Sequence, residues 1–314
     1  MIVTVTANPA LDVTYRVDTV RPGQVHRVAD VTERAGGKGI NVARVLHALA
    51  QEVVATGVGG GLTGARVVRE LAAEGIRADL VRALPDVRRT LVVQADDGST
   101  TSFWEPGHRP ASPEVAARQL VDRVHSLLRA GAAGLVVSGS LAPGLPASLP
   151  AKLAELGAAA GVPAVVDADG EPLHLAAHGG HAVLTPNREE LGRLDGGPVG
   201  SVAEVAAAAA RVRAGGARAV VATLGADGML ASTPDGTWVA RPVEALRGNP
   251  TGAGDAAAAA VVLGLAAGAD WPSLLRDAVA LSAAAVARPV AGEVDRDLYR
   301  RWRERVPVER WEGP

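Results

Sequence analysis

Short, valine-rich runs alternate with alanine-, leucine- and arginine-rich stretches of helical spacing along most of this chain, and that alternation restricts the fold more than any other feature. "IVTVTA" (2–7), "VVATGV" (53–58), "GLVVSG" (134–139), "AVVDA" (164–168), "AVLTPN" (182–187) and "AVVATLG" (219–225) read as buried strands. Helical patterns cover 39–50, 63–74, 113–130, 146–160, 201–214, 254–267 and 273–287. Strands separated by helices cannot pair as hairpins; they form a mainly parallel sheet covered by helices on both faces. The expected class is α/β. Several strands end in a turn containing Gly, Asn or Asp, where open α/β sheets place their ligands.

Two stretches depart from this rhythm. Residues 12–34 and 88–105 alternate apolar and polar residues around "RPGQ" and "DDGS" turns, a two-residue period that predicts half-exposed strands. They form either a pair of edge hairpins or a small sheet standing over a site as a lid. No internal repeat is visible, and one domain spanning 1–314 is expected.

Composition removes several function classes. With no cysteine, the chain has no disulfide, thiolate metal site or catalytic thiol. A net charge of -2 gives no overall attraction to nucleic acid or to an anionic membrane. "MIVTVTAN" lacks the basic start and apolar core of a secretion signal, and no Gly-free apolar run is long enough for a bilayer. A cytoplasmic protein is expected. Of 32 basic residues only Lys38 and Lys152 are lysines, so a lysine in a glycine-rich turn stands out.

"GNPTGAGDAAAAA" (248–260) brings glycines, one acid and then pure alanine. Gly252, Ala253 and Gly254 open a helix whose free amides face outward at its positive end, with Asp255 in the first turn. Asp255 either complements the helix dipole or takes a hydroxyl proton beside amides that hold a transferring phosphoryl group. "AGGKGINVARVL" (35–46) is a second glycine-rich entry to a helix, without P-loop spacing. "TPNREEL" (185–191) sets Asn187 and Glu190 three apart, either as a cap with solvated acids or as groups reaching a magnesium–phosphate cluster through water. "TLGADGML" (223–230) is a strand, a tight turn and a strand.

Taken together, these stretches resemble the PfkB (ribokinase-like) sugar kinases. "GGKGINVA" with "NPTGAGD" makes the match specific, and "TANPALD", "SGSLAPGLP", "TPNREEL" and "TLGADG" follow in the order of the 1-phosphofructokinase and tagatose-6-phosphate kinase branch. The resemblance implies a three-layer αβα sandwich with a small β-sheet lid, and ATP and Mg2+ as cofactors. It also implies a homodimer paired through the lid. It casts Asp255 as the catalytic base and Gly252, Ala253 and Gly254 as the anion hole. Asn187 and Glu190 match the magnesium and phosphate motif, with Glu190 acting through water. Thr223, Gly225 and Gly228 match the nucleotide-binding turn, and Asn249 of "NPTGAGD" is placed with the nucleotide. Asp12, Gly37, Lys38, Asn41 and Ser138 fall at sugar-binding positions. Lys38, with Arg27 and Arg88 or Arg89, is the candidate holder of a phosphate already on the substrate; strand alternation favours Arg88.

The expected reaction is ATP-dependent phosphorylation of a ketohexose phosphate, of the fructose 1-phosphate or tagatose 6-phosphate type, to a bisphosphate. The alternatives are a kinase of an unphosphorylated sugar or nucleoside, and a non-catalytic sugar-phosphate-binding regulator. Three positions depart from the family pattern. Thr185 stands where a lysine often precedes Pro-Asn, Trp104 stands where an asparagine is usual, and "RRTL" lacks the asparagine that commonly follows arginine. Trp104 is expected to face the sugar and Phe103 to pack.

Overall fold

The computed structural model describes residues 1–313. The buried strand β1 (Ile2–Thr6) leads to β2 (Ala10–Val17) and β3 (Asp30–Gly36), which leave the main sheet, and then to α1 (Lys38–Ala48). β4 (Val53–Gly59), α2 (Gly61–Ala73) and β5 (Arg77–Arg82) follow. β6 (Arg88–Ala95) and β7 (Thr100–Trp104) leave the main sheet again. Next come α3 (Pro113–Arg129), β8 (Gly134–Ser138), α4 (Leu149–Ala159), β9 (Ala164–Asp167), α5 (Gly170–His178) and β10 (Ala182–Leu184). After α6 (Arg188–Asp195) and α7 (Val202–Ala214), the strands β11 (Ala219–Thr223), β12 (Met229–Thr233) and β13 (Gly236–Ala240) form a meander. The chain ends with α8 (Ala253–Ala266), α9 (Trp271–Val286), α10 (Arg296–Arg303) and the edge strand β14 (Val308–Arg310).

The main sheet runs β14-β13-β12-β11-β10-β9-β8-β1-β4-β5. It is parallel from β11 to β5 and antiparallel from β11 to β14. Alternate residues of one strand serve opposite layers: Leu135 and Val137 pack with α3, α4, α5 and α7, and Val136 packs with α1, α8 and α9. This is the expected αβα sandwich. The alanines 256–260 are all buried; with no side chain beyond Cβ they let α8 lie close against its neighbours. Strand order reverses at β1, with β4 and β5 on one side and β8 to β11 on the other. The carboxyl ends of β1 and β8 therefore flank the switch point, where such sheets bind ligands.

The two irregular stretches form one separate four-stranded sheet, β3-β2-β6-β7. Register divides its faces. Leu11 and Val13 are buried and Leu91 partly so, against the core on the α2 side, where Glu33 also pairs with Arg66. The other face carries Asp12, opposite Arg34 and Thr90, with Thr90 in turn opposite Trp104.

Boundaries shift where local chemistry intervenes. β10 ends at Leu184 rather than 187, because Pro186 has no N–H for a ladder. α4 begins at Leu149 rather than 146, with Pro150 in its first turn, a position that needs no amide donor. The short α5, α6 and α10 and the strands β5 and β14 carry too few periods to be read from sequence. Among the described residues, no helix is long and apolar enough to cross a membrane.

Candidate active site

Gly252 caps α8 in the left-handed region, φ 90°, a conformation that side chains rarely tolerate. The Ala253 amide turns back to the Pro250 carbonyl at 3.1 Å. This is a correction to the expectation that all three amides face a ligand. Among the described residues no side chain caps this helix end, which leaves the Gly252 and Gly254 amides as donors. A Cβ on Gly254 would meet nothing within 4 Å, so this side of the turn opens to space.

Asp255 is buried in that first turn, and its Oδ2 accepts a 2.9 Å bond from Asn41 Nδ2 of α1. Burial pushes its carboxyl up to about 7; the Asp167 carboxylate acts in the same direction, and the Asn41 bond and the Lys38 charge oppose it. An acid titrating there is suited to accept a proton near neutral pH.

Lys38 opens α1 directly after Gly37. Its Nζ lies 3.1 Å from Asp167 Oδ1, and Asp167 Oδ2 accepts from Ser138 Oγ at 2.9 Å. Burial works against the ammonium, yet Asp167, then Glu190 and Asp255, more than offset it and its pKa is raised. Lys38 thus lies among the carboxylates around Asp255. Asp167 was not singled out from sequence, although an acid ending a buried strand at the ligand edge of a parallel sheet is a readable signal.

Asn187 and Glu190 form a capping box on α6: Asn187 Oδ1 accepts from the Glu190 amide at 2.9 Å, and Glu190 Oε2 accepts from the Asn187 amide at 2.8 Å. The cap of the first reading is present, but with Glu190 buried rather than solvated, and it occupies only one Glu190 oxygen. Burial raises the Glu190 pKa, against the Asn187 amide and Lys38. Thr223 bridges to Asn187 and donates its amide to Pro186 O, so the Asn187 motif and the Gly225–Gly228 turn are neighbours. Asn249 builds its own loop, donating to Pro289 O at 2.9 Å and accepting from Thr251 N at 3.0 Å.

On the small sheet, Asp12 accepts from the Thr90 hydroxyl, and burial raises its pKa. The carboxylate lies over Gly36, where a Cβ would overlap it. Arg88 donates to Asn8 O at 3.3 Å and Glu105 O at 3.0 Å, and Asp12 and Glu105 both attract it. Arg88 shares the Asp12 face, whereas exposed Arg89 is paired in register with Leu11 on the other. Trp104 lies in the Asp12–Thr90 row and is 74% exposed; Phe103, in the opposite row, is 59% exposed and joins neither core cluster of the described residues. Arg27 lies exposed in the β2–β3 connection, with no hydrogen bond or ion pair to the site among the described residues.

Phosphoryl transfer to an alcohol needs a base beside the acceptor and fixed donors for the moving charge. The start of α8 sets a buried carboxyl beside two free amides, the kinds of group such a step uses. The pfkB family carbohydrate kinase pattern matches residues 5–296, and the chain belongs to that family. It is 38% identical over 285 residues to a 1-phosphofructokinase of Xanthomonas campestris pv. campestris, covering 89% of this chain and 86% of that one. Phosphofructokinase-2 from Escherichia coli in complex with potassium superposes with a TM-score of 0.89 at 30% identity, covering 96% of this chain and 98% of that one. The same enzyme in complex with fructose-6-phosphate gives 0.86 at 30% identity and the same coverage.

Proposed function

We propose that this chain is an ATP-dependent ketohexose-phosphate kinase that makes a sugar bisphosphate, with Asp255 as the base. The observation carrying this reading is the buried Asp255 carboxyl, pushed up to about 7 at the open N-terminus of α8. A regulator that only binds sugar phosphate gains nothing from such a base.

On this reading the acceptor hydroxyl lies between Asp255, which takes its proton, and the Gly252 and Gly254 amides, which stabilise the transferred group. Asn41 orients Asp255 through its 2.9 Å bond. Asp12, Gly37, Asn41 and Ser138 hold the sugar, and Arg88, with Lys38, answers a phosphate already on it. Arg27 joins them only when the β2–β3 connection closes or a second copy brings its own. The nucleotide lies along Asn187, Thr223 and the Gly225–Gly228 turn, with Asn249 shaping the adjoining loop.

Mg2+ would supply charge neutralisation at the ATP phosphates when bound. Among the described residues no cluster of three His, Asp or Glu could cage a metal. The free Glu190 oxygen and Asp167 fit an ion that keeps its waters and takes phosphate ligands, as magnesium prefers. Residues 1–314 then act as one kinase unit, with the small sheet as its lid. Exposed Trp104, Phe103, Val31 and Val25 suit pairing with a second copy's lid as a homodimer.

The test is coupled ADP release over fructose 1-phosphate, fructose 6-phosphate, tagatose 6-phosphate, free hexoses and nucleosides. Turnover confined to ketohexose phosphates supports the reading. Turnover of free sugars or nucleosides alone, or no turnover at all, overturns it.

A further inference from the structure

Behind the start of α8 lies the connection from α9 to α10, and it touches the transfer centre at two points. A Cβ on Gly252 would fall 2.9 Å from the Ala291 Cα, and one on Gly292 would fall 3.3 Å from the Asn41 Cα. One short segment therefore backs both the proposed anion hole and the residue that holds the base. The Asn249–Pro289 bond adds a third brace.

An arginine of the small sheet reaches this segment. Arg34 of β3, directly opposite Asp12 in the pairing, donates from Nη1 to the Ala291 carbonyl at 3.2 Å. It also lies 3.7 Å from Glu293 and 3.9 Å from Glu74. The neighbouring charges show that Arg34 is not needed to neutralise those acids. Glu74 already receives both Nε and Nη2 of buried Arg44, at 2.6 and 2.8 Å. Glu293 already receives Arg288 at 3.1 Å. Three guanidinium groups therefore serve two carboxylates. Among the described residues, the bond that no other residue supplies is the one from Arg34 to Ala291.

We propose that Arg34 is a positioning residue that couples the sugar-facing strand pair to the segment behind Gly252 and Asn41. Sugar drawn to Asp12 then also sets the anion hole and the base. This rests on the reading above, that Asp12 faces the sugar. A displacement of about 1 Å in a reacting group costs up to roughly a hundredfold in rate, so a small slack at Ala291 is enough to matter.

The experiment is amide hydrogen exchange over 288–294, with and without each of the three ketohexose phosphates at millimolar concentration, alongside kinetics. In the wild type, the sugar that is turned over is expected to slow exchange in this segment. Arg34→Met keeps the apolar stem and removes the donors. It is expected to lose that protection and to lower kcat about ten- to hundredfold, with KM for ATP within about twofold and Tm nearly unchanged. If Arg34→Met does not fold, Arg34→Gln, whose amide is too short to reach Ala291, carries the same reading.

Protection in the folded variant equal to that of the wild type overturns the coupling. So does a wild type that turns over a sugar with no protection of 288–294. A wild type that turns over none of the three sugars overturns the reading beneath it instead.

Discussion

The transfer centre and the outer face of the small sheet belong to one proposed site but are built in opposite ways. At the transfer centre each charged group meets a partner within the chain: Asp255 has Asn41, Lys38 has Asp167, and Glu190 has the Asn187 amide. On the small sheet, Arg27 has no partner among the described residues, and Trp104 and Phe103 lie largely in solvent. The first region is preorganised by the fold, so it has little left to rearrange when charge moves. On the proposed reading the second is half a binding surface, to be completed by a ligand, a closing movement or a second copy.

The strongest way to break the preorganised half is Asp255→Asn, which keeps size and the glycine turn but removes the base. kcat should fall by about 10²–10⁴, with much smaller changes in KM. Steady-state kinetics within threefold of wild type would remove Asp255 from the mechanism.

Lys38→Ala tests where the two halves meet. If Lys38 holds the phosphate already on the sugar, affinity for the sugar phosphate should drop by roughly 2–4 kcal/mol and ATP affinity should barely move. Titrating each ligand separately checks this. An equal loss for ATP would assign Lys38 to the transferred phosphoryl group beside Asp167.

Trp104→Asn probes the half-built surface. An indole offers one N–H where an amide offers a donor and an acceptor. A sugar hydroxyl needing that amide would be rejected by about 1–3 kcal/mol. The substitution should shift the kcat/KM ratio towards fructose 1-phosphate. An unchanged substrate profile with dimerisation lost would make Trp104 an interface residue.

The last test separates the halves by pH. With Asp255 raised to about 7, kcat/KM should fall about tenfold per pH unit below that value, not below 4. Stability carries the opposite sign. Between about 4 and 7 the native state keeps a proton that the unfolded state has lost, so the wild type loses stability as pH rises through that window. Asp255→Asn should show a smaller loss, because the raised Asp12 and Glu190 carboxyls still contribute, and thermal melts across pH compare the two directly.

Much of the fold was legible because it depends on local periodicity. The valine runs of β1, β8 and β11 and the alanine run of α8 lie where their patterns predict. Gly37 and Gly252 marked the helix openings, because both take a positive φ that few other residues adopt. Register on a strand also reads locally: alternation alone put Arg88 on the face of Thr90, and the pairing agrees.

What sequence could not reach were relations between distant segments. The 2.9 Å bond from Asn41 to Asp255 spans 214 positions, and the bond from Arg34 to Ala291 spans 257. Asp167 gained its place beside Lys38 only when β9 was laid next to β8, and Ala253 lost an outward amide to a turn no motif records. Residue type and spacing, which are local, determined the family, the helix openings and the chemistry expected of an acid behind glycines, phosphoryl transfer. Tertiary structure decided which groups share a low-dielectric pocket, and therefore that Asp255 titrates near 7 rather than near 4, because burial and neighbouring charge are properties of the packed chain.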